Sequence, residues 1–537
     1  MYRVLSSILL IFLFSVATQP SHAGEGRAPK LIVFISVDQM RQDYFERFGD
    51  EFTGGLGRIY REGVFFSHAD LNYAASETGP GHATLATGQY PRHSGIPGND
   101  WLDPRTGRMV YCVEDSGAGQ VHGEGGYRSP KNLLVSSVGD WLKTSSPSSK
   151  VISISSKDRA AILMGGKNPD IAFWYAGGTG HMVTSSYYAD SLGDWVIRFN
   201  ESDWIGHHLP ASWEKLLPDE RYASDEIDDF SAEFPWGGST QFPHVFTNPG
   251  WQILTSPYGD YLTLDFANEA VVHEGLGQRD VPDMLCISLS CTDYVGHSFG
   301  PNSQEMHDHL LRLDRRLGEF LARLEEKVGR DKIFIALSAD HGVMPLPEYL
   351  VAHGNRFARR INFESQIKTP VLELDSILRK EFHSSQPVLT MTGLLDYDAA
   401  ARNGIDSIGL ERKLRAALLS IHGIEDVFFR RELILPDGGE RPFIDLFRHS
   451  YYSSRGEDFQ FRFCEWCIMS WKAHGTTHGS PYDYDTHVPV AFLWSGLIPA
   501  KVLRPITTLD IAPTIGTVLD LPLPPGLDGR ILPEISQ

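Results

Sequence analysis

Three aspartates stand just past the ends of short apolar runs, where a parallel sheet would deliver them to one edge. Leu31 to Val37 runs straight into Asp38. Met284 to Ser290 continues through Cys291 and Thr292 into Asp293, and Lys332 to Ser338 continues through Ala339 into Asp340 and His341. Carboxylates gathered this closely repel one another unless a cation sits between them. Histidines accompany them. His297 follows Asp293 by four residues, which on a helical turn puts both side chains on one face. His341 adjoins Asp340, with Gly342 next to let the chain turn, and His487 immediately precedes the apolar run Val488 to Trp494. A single aspartate at a strand end is usually a turn residue or a helix cap, and a single histidine is usually a satisfied core or surface residue. Three aspartates with histidines beside them favour ligation. Mixed carboxylate and imidazole donors suit zinc, and their number is enough for two ions.

A nucleophile can be read from Glu77-Thr78-Gly79-Pro80-Gly81-His82. Thr78 falls where a loop becomes a helix, with Pro80 compatible with the first turn. Such a position aims backbone N–H groups and the positive end of the helix dipole at whatever approaches the hydroxyl. A plain N-cap threonine would look the same in isolation. Ser76, Thr84 and Thr87 are competing hydroxyls, but they lack the glycines that allow close approach. Asn99 lies in the turn Ile96-Pro97-Gly98-Asn99-Asp100, and Lys157 and Arg159 follow the apolar run Val151 to Ser155. At an edge holding metal ions, that cationic pair is better explained by anion binding than by a solvated surface.

The elements that must position these groups are the runs Leu31–Val37, Val151–Ser155, Met284–Ser290, Lys332–Ser338 and Val488–Trp494. They are apolar on both faces, as strands of a parallel sheet are. His307 to Val328 has leucines and Phe320 at three- and four-residue intervals, the mark of an amphipathic helix. The predicted fold class is α/β: a doubly wound, mostly parallel sheet with helices on both faces, its ligands at the carboxyl ends of the strands. The domain is expected to span residues 30–537. Two stretches break the rhythm, 165–280 and 345–480, and read as insertions forming a cap.

The chain has 537 residues, with 42% hydrophobic and 22% charged residues and a formal net charge of −20. That balance fits a globular protein, and its acidity argues against a nucleic-acid-binding surface. Arg3, the apolar stretch Leu9 to Val16, and Ser21-His22-Ala23 before Gly24 read as a signal peptide over residues 1–23. The expectation is a periplasmic or secreted protein with no stable membrane anchor. Cys464 and Cys467 form a C-x-x-C pair that suits a local disulfide in an oxidising compartment, or a redox pair. A zinc knuckle would need a second pair, and none exists.

Together these segments resemble the alkaline phosphatase superfamily, and within it the PafA-type bacterial enzymes with a threonine nucleophile. The matching segments are Val37 to Met40, Thr78 to Ala83, Gly98-Asn99, Lys157 to Arg159, Thr292 to His297, Ala339 to Gly342, and Gly475 to Gly479 through Asp485 to His487. Asp510 to Thr514 also matches. The resemblance implies two Zn2+ ions, one held by Asp293, His297 and His487. It implies the other held by Asp38, Asp340 and His341, with Thr78 at that ion. Thr78 would form a phosphothreonine intermediate, while Asn99, Lys157 and Arg159 would hold the non-bridging oxygens. Diesterases of the superfamily generally lack the Lys and Arg pair, so small-molecule phosphate monoesters are the expected substrates. A diesterase or nucleotide pyrophosphatase is the alternative, and an inactive metal-binding homologue a further one. Sulfatases carry a modified Cys or Ser within a Cys/Ser-x-Pro-x-Arg motif that is absent around Thr78.

Overall fold

The computed structural model describes residues 28–536 except 124, 224, 436–440 and 471; the expected signal peptide lies outside the described residues. The central strands, in chain order, are β1 (Leu31–Val37), β2 (Val64–Asp70), β3 (Val151–Ser155), β4 (Ile171–Ala176), β5 (His181–Ser185), β6 (Asp283–Leu289), β7 (Ile333–Ser338), β8 (His487–Leu493) and β9 (Ala500–Val502). In space they follow the order β9-β2-β8-β7-β1-β6-β3-β4-β5, with Gln120–Val121 at the far edge. The five strands from β7 to β4 are mutually parallel. On the flanks, β8 runs antiparallel to β7 and β2, and β5 runs antiparallel to β4.

The alternation of side chains along β1 shows why the sheet is covered twice. Leu31, Val33, Ile35 and Val37 enter one hydrophobic cluster, and Ile32 and Phe34 enter the other. A strand apolar on both faces needs a layer on each. The first layer includes two helices, Tyr258–Glu274 and Gln304–Val328. The latter contributes Leu310, Leu313 and Leu317 and is capped by Ser303, whose side chain accepts from Met306 N. The second layer includes the helices Val138–Ser145 and Ile511–Val518, through Trp141, Leu142, Ile511 and Ile515. Each fully buried aliphatic side chain contributes about 1.5–3 kcal/mol.

The two irregular stretches differ in kind. Residues 171–185 form β4 and β5, and Tyr258–Glu274 packs on the sheet, so much of 165–280 belongs to the central layers. The reading of that stretch as a cap is corrected here: short strands interrupted by Gly177, Gly178 and Gly180 hide the sheet pattern in the sequence. The second stretch has its own core, with Ile361, Val371, Leu378, Leu410, Leu414 and Val427 among its members. It carries two small sheets, Arg359–Asn362 with Cys467–Ser470 and Ile424–Phe429 with Phe459–Phe463. Cys464 and Cys467 are joined in a disulfide; Cys112, Cys286 and Cys291 are free and buried. Among the described residues, no helix is long and apolar enough to cross a membrane.

Candidate metal and anion site

Register fixes the acidic edge. Val37 pairs with Leu289 and Ser36 with Ser338, so β1, β6 and β7 end side by side. Asp38 follows β1 directly and Asp340 follows β7 after Ala339, and Asp293 sits in the first turn of a helix, Cys291–Phe299, that begins just past β6. His341 Nε2 lies 3.5 Å from Asp38 Oδ1 and 3.5 Å from Asp340 Oδ2. All three atoms are buried without a hydrogen-bond partner. Asp340 Oδ2 is also 3.1 Å from His82 Nδ1, but that nitrogen is engaged by Thr78 O at 2.9 Å. Three buried, unpartnered donor atoms facing one point are costly unless a cation joins them. This donor set fits a metal ion.

A second set gathers around Asp293. Its Oδ1 is 3.2 Å from His297 Nε2 and 3.5 Å from His478 Nε2. His478 stacks on His341 with ring centroids 3.7 Å apart, which makes the two sets neighbours. In all three imidazoles Nδ1 is tied to a backbone carbonyl: His341 to Gly342 O, His297 to Thr476 O and His478 to Ser76 O. An Nδ1–H held this way fixes the tautomer and turns the Nε2 lone pair inward, the usual support for a metal-binding histidine.

His487 does not join this set. It pairs in register with Asp70 of β2, one strand beyond β7, and its Nε2 lies 2.8 Å from Ser67 O. The expectation that it completes the Asp293 set is therefore corrected. The position belongs to His478, on the loop that precedes β8. Gly475 and Gly479 flank that loop segment with φ of 74° and 106°, in the left-handed region that glycine alone adopts freely. A histidine between two glycines was the available signal.

Lys157 stands between the two sets. Its Nζ donates to Asp38 Oδ2 at 2.7 Å and to Asp293 Oδ2 at 2.6 Å. Burial works against the ammonium, yet Asp293 and Asp38 together hold its pKa above the usual lysine range. Burial, and after it the charge of Asp340, push Asp38 well up. Asp293 is held well below the usual carboxylate range: burial opposes this, but His297 and Lys157 outweigh it. Burial also lowers His341 to about 3, keeping it a neutral imidazole. Gln39 is a supporting residue the sequence reading missed. At φ 67° it donates from its backbone N to Asp340 Oδ1 and from Nε2 to Asp293 Oδ1.

Thr78 is the first residue of a wholly buried helix, Thr78–Thr87, with Glu77 rather than Thr78 at the N-cap. Small residues let this helix sink against the sheet edge. A Cβ on Gly81 would fall 2.5 Å from Asp340 Cβ. Arg159 Nη2 donates to Thr78 Oγ1 at 3.2 Å, while the buried Arg159 Nε has no partner among the described residues. Although burial opposes it, Tyr111 and Asp158 keep the guanidinium charged. Tyr111 in turn donates to Asp158 Oδ1 at 2.5 Å, and Arg128 donates to the other oxygen. Asn99 Oδ1 accepts from Gly79 N at 2.7 Å, so Nδ2 is the end left to donate. Hydroxyl, guanidinium, amide and helix N-terminus thus converge where an anion would sit beside the acidic edge.

A family model described as type I phosphodiesterase / nucleotide pyrophosphatase matches residues 32–392. The chain is 34% identical over 529 residues to a Myroides odoratus protein named calcium-transporting ATPase, with 94% of each covered. It is 33% identical over 524 residues to alkaline phosphatase PhoV of Synechococcus elongatus, covering 94% of this chain and 93% of that one. The crystal structure of wild-type alkaline phosphatase PafA superposes with a TM-score of 0.87 at 30% identity, covering 95% of this chain and 99% of the other.

Proposed function

We propose a mechanism from one premise: this chain belongs to the type I phosphodiesterase / nucleotide pyrophosphatase family of the alkaline phosphatase superfamily, and is an alkaline phosphatase of PafA type. It hydrolyses phosphate monoesters through a phosphothreonine. One Zn2+ would be held by Asp38, Asp340 and His341 with Thr78, and the other by Asp293, His297 and His478. Bound there, the ions would supply Lewis-acid stabilisation of the charge on the attacking and departing oxygens. What supports the reading is that Arg159 Nη2 holds Thr78 Oγ1 in a residue next to the three unpartnered atoms of the Asp38 set: His82 Nδ1 meets both Thr78 O and Asp340 Oδ2.

The chain's own groups then take defined parts. Arg159, with a spare Nε–H, and Asn99 Nδ2 orient the non-bridging oxygens. Lys157 has three N–H donors, two of them committed to Asp38 and Asp293, so the third can face the phosphoryl group. Thr78 Oγ1 forms a bond to phosphorus as the bond to the ester oxygen breaks, and the departing alcohol takes up a proton. Water then cleaves the Thr78 phosphoester, releasing inorganic phosphate and restoring the hydroxyl.

Two fixed cations match the nearly double charge of a monoester better than the single charge of a diester. The diester reading draws on the name of the matching family model. Initial rates of phenol release from phenyl phosphate and diphenyl phosphate, measured side by side on zinc-loaded protein, decide between them. Preference for the monoester supports the cation clamp, whereas preference for the diester removes it. Export to the periplasm or beyond, with residues 1–23 removed, belongs to the same proposal, supported by the Cys464–Cys467 disulfide.

A further inference from the structure

A cavity of about 670 Å³ separates the cap from the sheet edge. Glu77, Gly98 and His478 line its inner end, so it opens beside Thr78 and Asn99. Its outer wall comes from the cap strand Phe459–Phe463 and from Met391, with Phe447 and Tyr482 alongside. Along that strand Phe459, Phe461 and Phe463 follow one another with ring centroids 5.1 and 5.7 Å apart. Aromatic faces and methionine together accept flat or irregular apolar groups. Besides Tyr482 and Tyr484, the ionisable side chains in the lining are four acids and one histidine: Glu77, Asp100, Glu457, Asp485 and His478. Lysine and arginine are absent from the lining residues. The volume suits part of a small molecule rather than a macromolecule.

We infer that this groove receives the alcohol portion of the substrate. The preferred esters are phosphate monoesters of bulky aromatic or apolar alcohols that carry no further negative charge. The inference rests on the phosphatase reading above and adds the substrate class. Its physical basis is a division of labour. Arg159, Asn99 and Lys157 serve the phosphoryl end, while the wall beyond has no lysine or arginine for a second anion and places the carboxyl groups of Glu77, Asp100 and Glu457 along its path. Nucleoside polyphosphates and sugar bisphosphates are accordingly disfavoured.

The test uses the zinc-loaded full chain and three esters of aliphatic alcohols with similar leaving-group basicity: propyl phosphate, 3-phenylpropyl phosphate, and the latter with a para-carboxylate on the ring. In wild type, kcat/KM for 3-phenylpropyl phosphate should exceed that for propyl phosphate by about tenfold or more. The para-carboxylate should lose most of that gain. In Phe461→Ala and Met391→Ala the phenylpropyl-to-propyl ratio should fall toward one. Because the readout is a ratio, a general loss of active protein cancels. A wild-type ratio near one, or a ratio unmoved by both variants, overturns the inference. No turnover of any of the three esters would instead remove the phosphatase reading beneath it.

Discussion

The acidic edge and the cap face each other across one groove and are built on opposite terms. At the edge, Asp38, Asp340, His341 and Thr78 are at most 1% exposed, and three of their polar atoms have no partner among the described residues. Strand register places them, so their geometry is only as good as the whole sheet. The cap has a separate apolar core and contributes aromatic surface rather than reacting groups. If the groove receives the alcohol as proposed, chemistry and selectivity rest on different cores, and substitutions should separate them.

Thr78→Ala should have the largest effect. Turnover of phenyl phosphate should fall on the order of 10³-fold or more, because the attacking oxygen is gone. Zinc content by elemental analysis should be retained in part, through the Asp and His donors. Near-normal turnover would take the nucleophile away from the edge. Next comes a paired measurement. His478→Ala should lose about one zinc equivalent and about 10²-fold in rate, whereas His487→Ala should stay close to wild type in both. The reverse pattern would reinstate His487 as the ligand.

Arg159→Ala should cost about 10²-fold in kcat/KM for the monoester, and clearly less for the diester, which carries one charge fewer. Equal losses on both would mean the guanidinium does not read charge. The smallest expected effect on rate comes from the cap core. Leu414→Ala should destabilise the cap by about 2–5 kcal/mol, seen as faster amide exchange across Ser407–Leu418. Exchange in β1 and β6, and kcat for propyl phosphate, should change little. Coupled loss of protection in β1 would show that the two cores are not separate.

Much of the edge was legible because it obeys simple periodicities. The run Leu31–Val37 and the run Val151–Ser155 are strands over those residues, and Asp293 with His297 sits on one helical turn. His478 escaped because it lies on a loop, where neither period applies, while His487 drew attention by adjoining an apolar run. That run is a strand, but an antiparallel one placed beyond β7, and position along the chain cannot reveal which neighbour a strand takes. Gln39 was hidden for another reason. Its role depends on a left-handed backbone that glycine would ordinarily supply.

The lysine between the two donor sets bears on how such a site comes into being. Asp38 and Asp293 each find a built-in countercharge in Lys157, at 2.7 and 2.6 Å. The acidic edge can therefore close during folding with part of its repulsion already relieved by the polypeptide itself. Assembly of the sheet and capture of metal become separable events. The order in which they happen would then depend on when the chain first meets a metal ion.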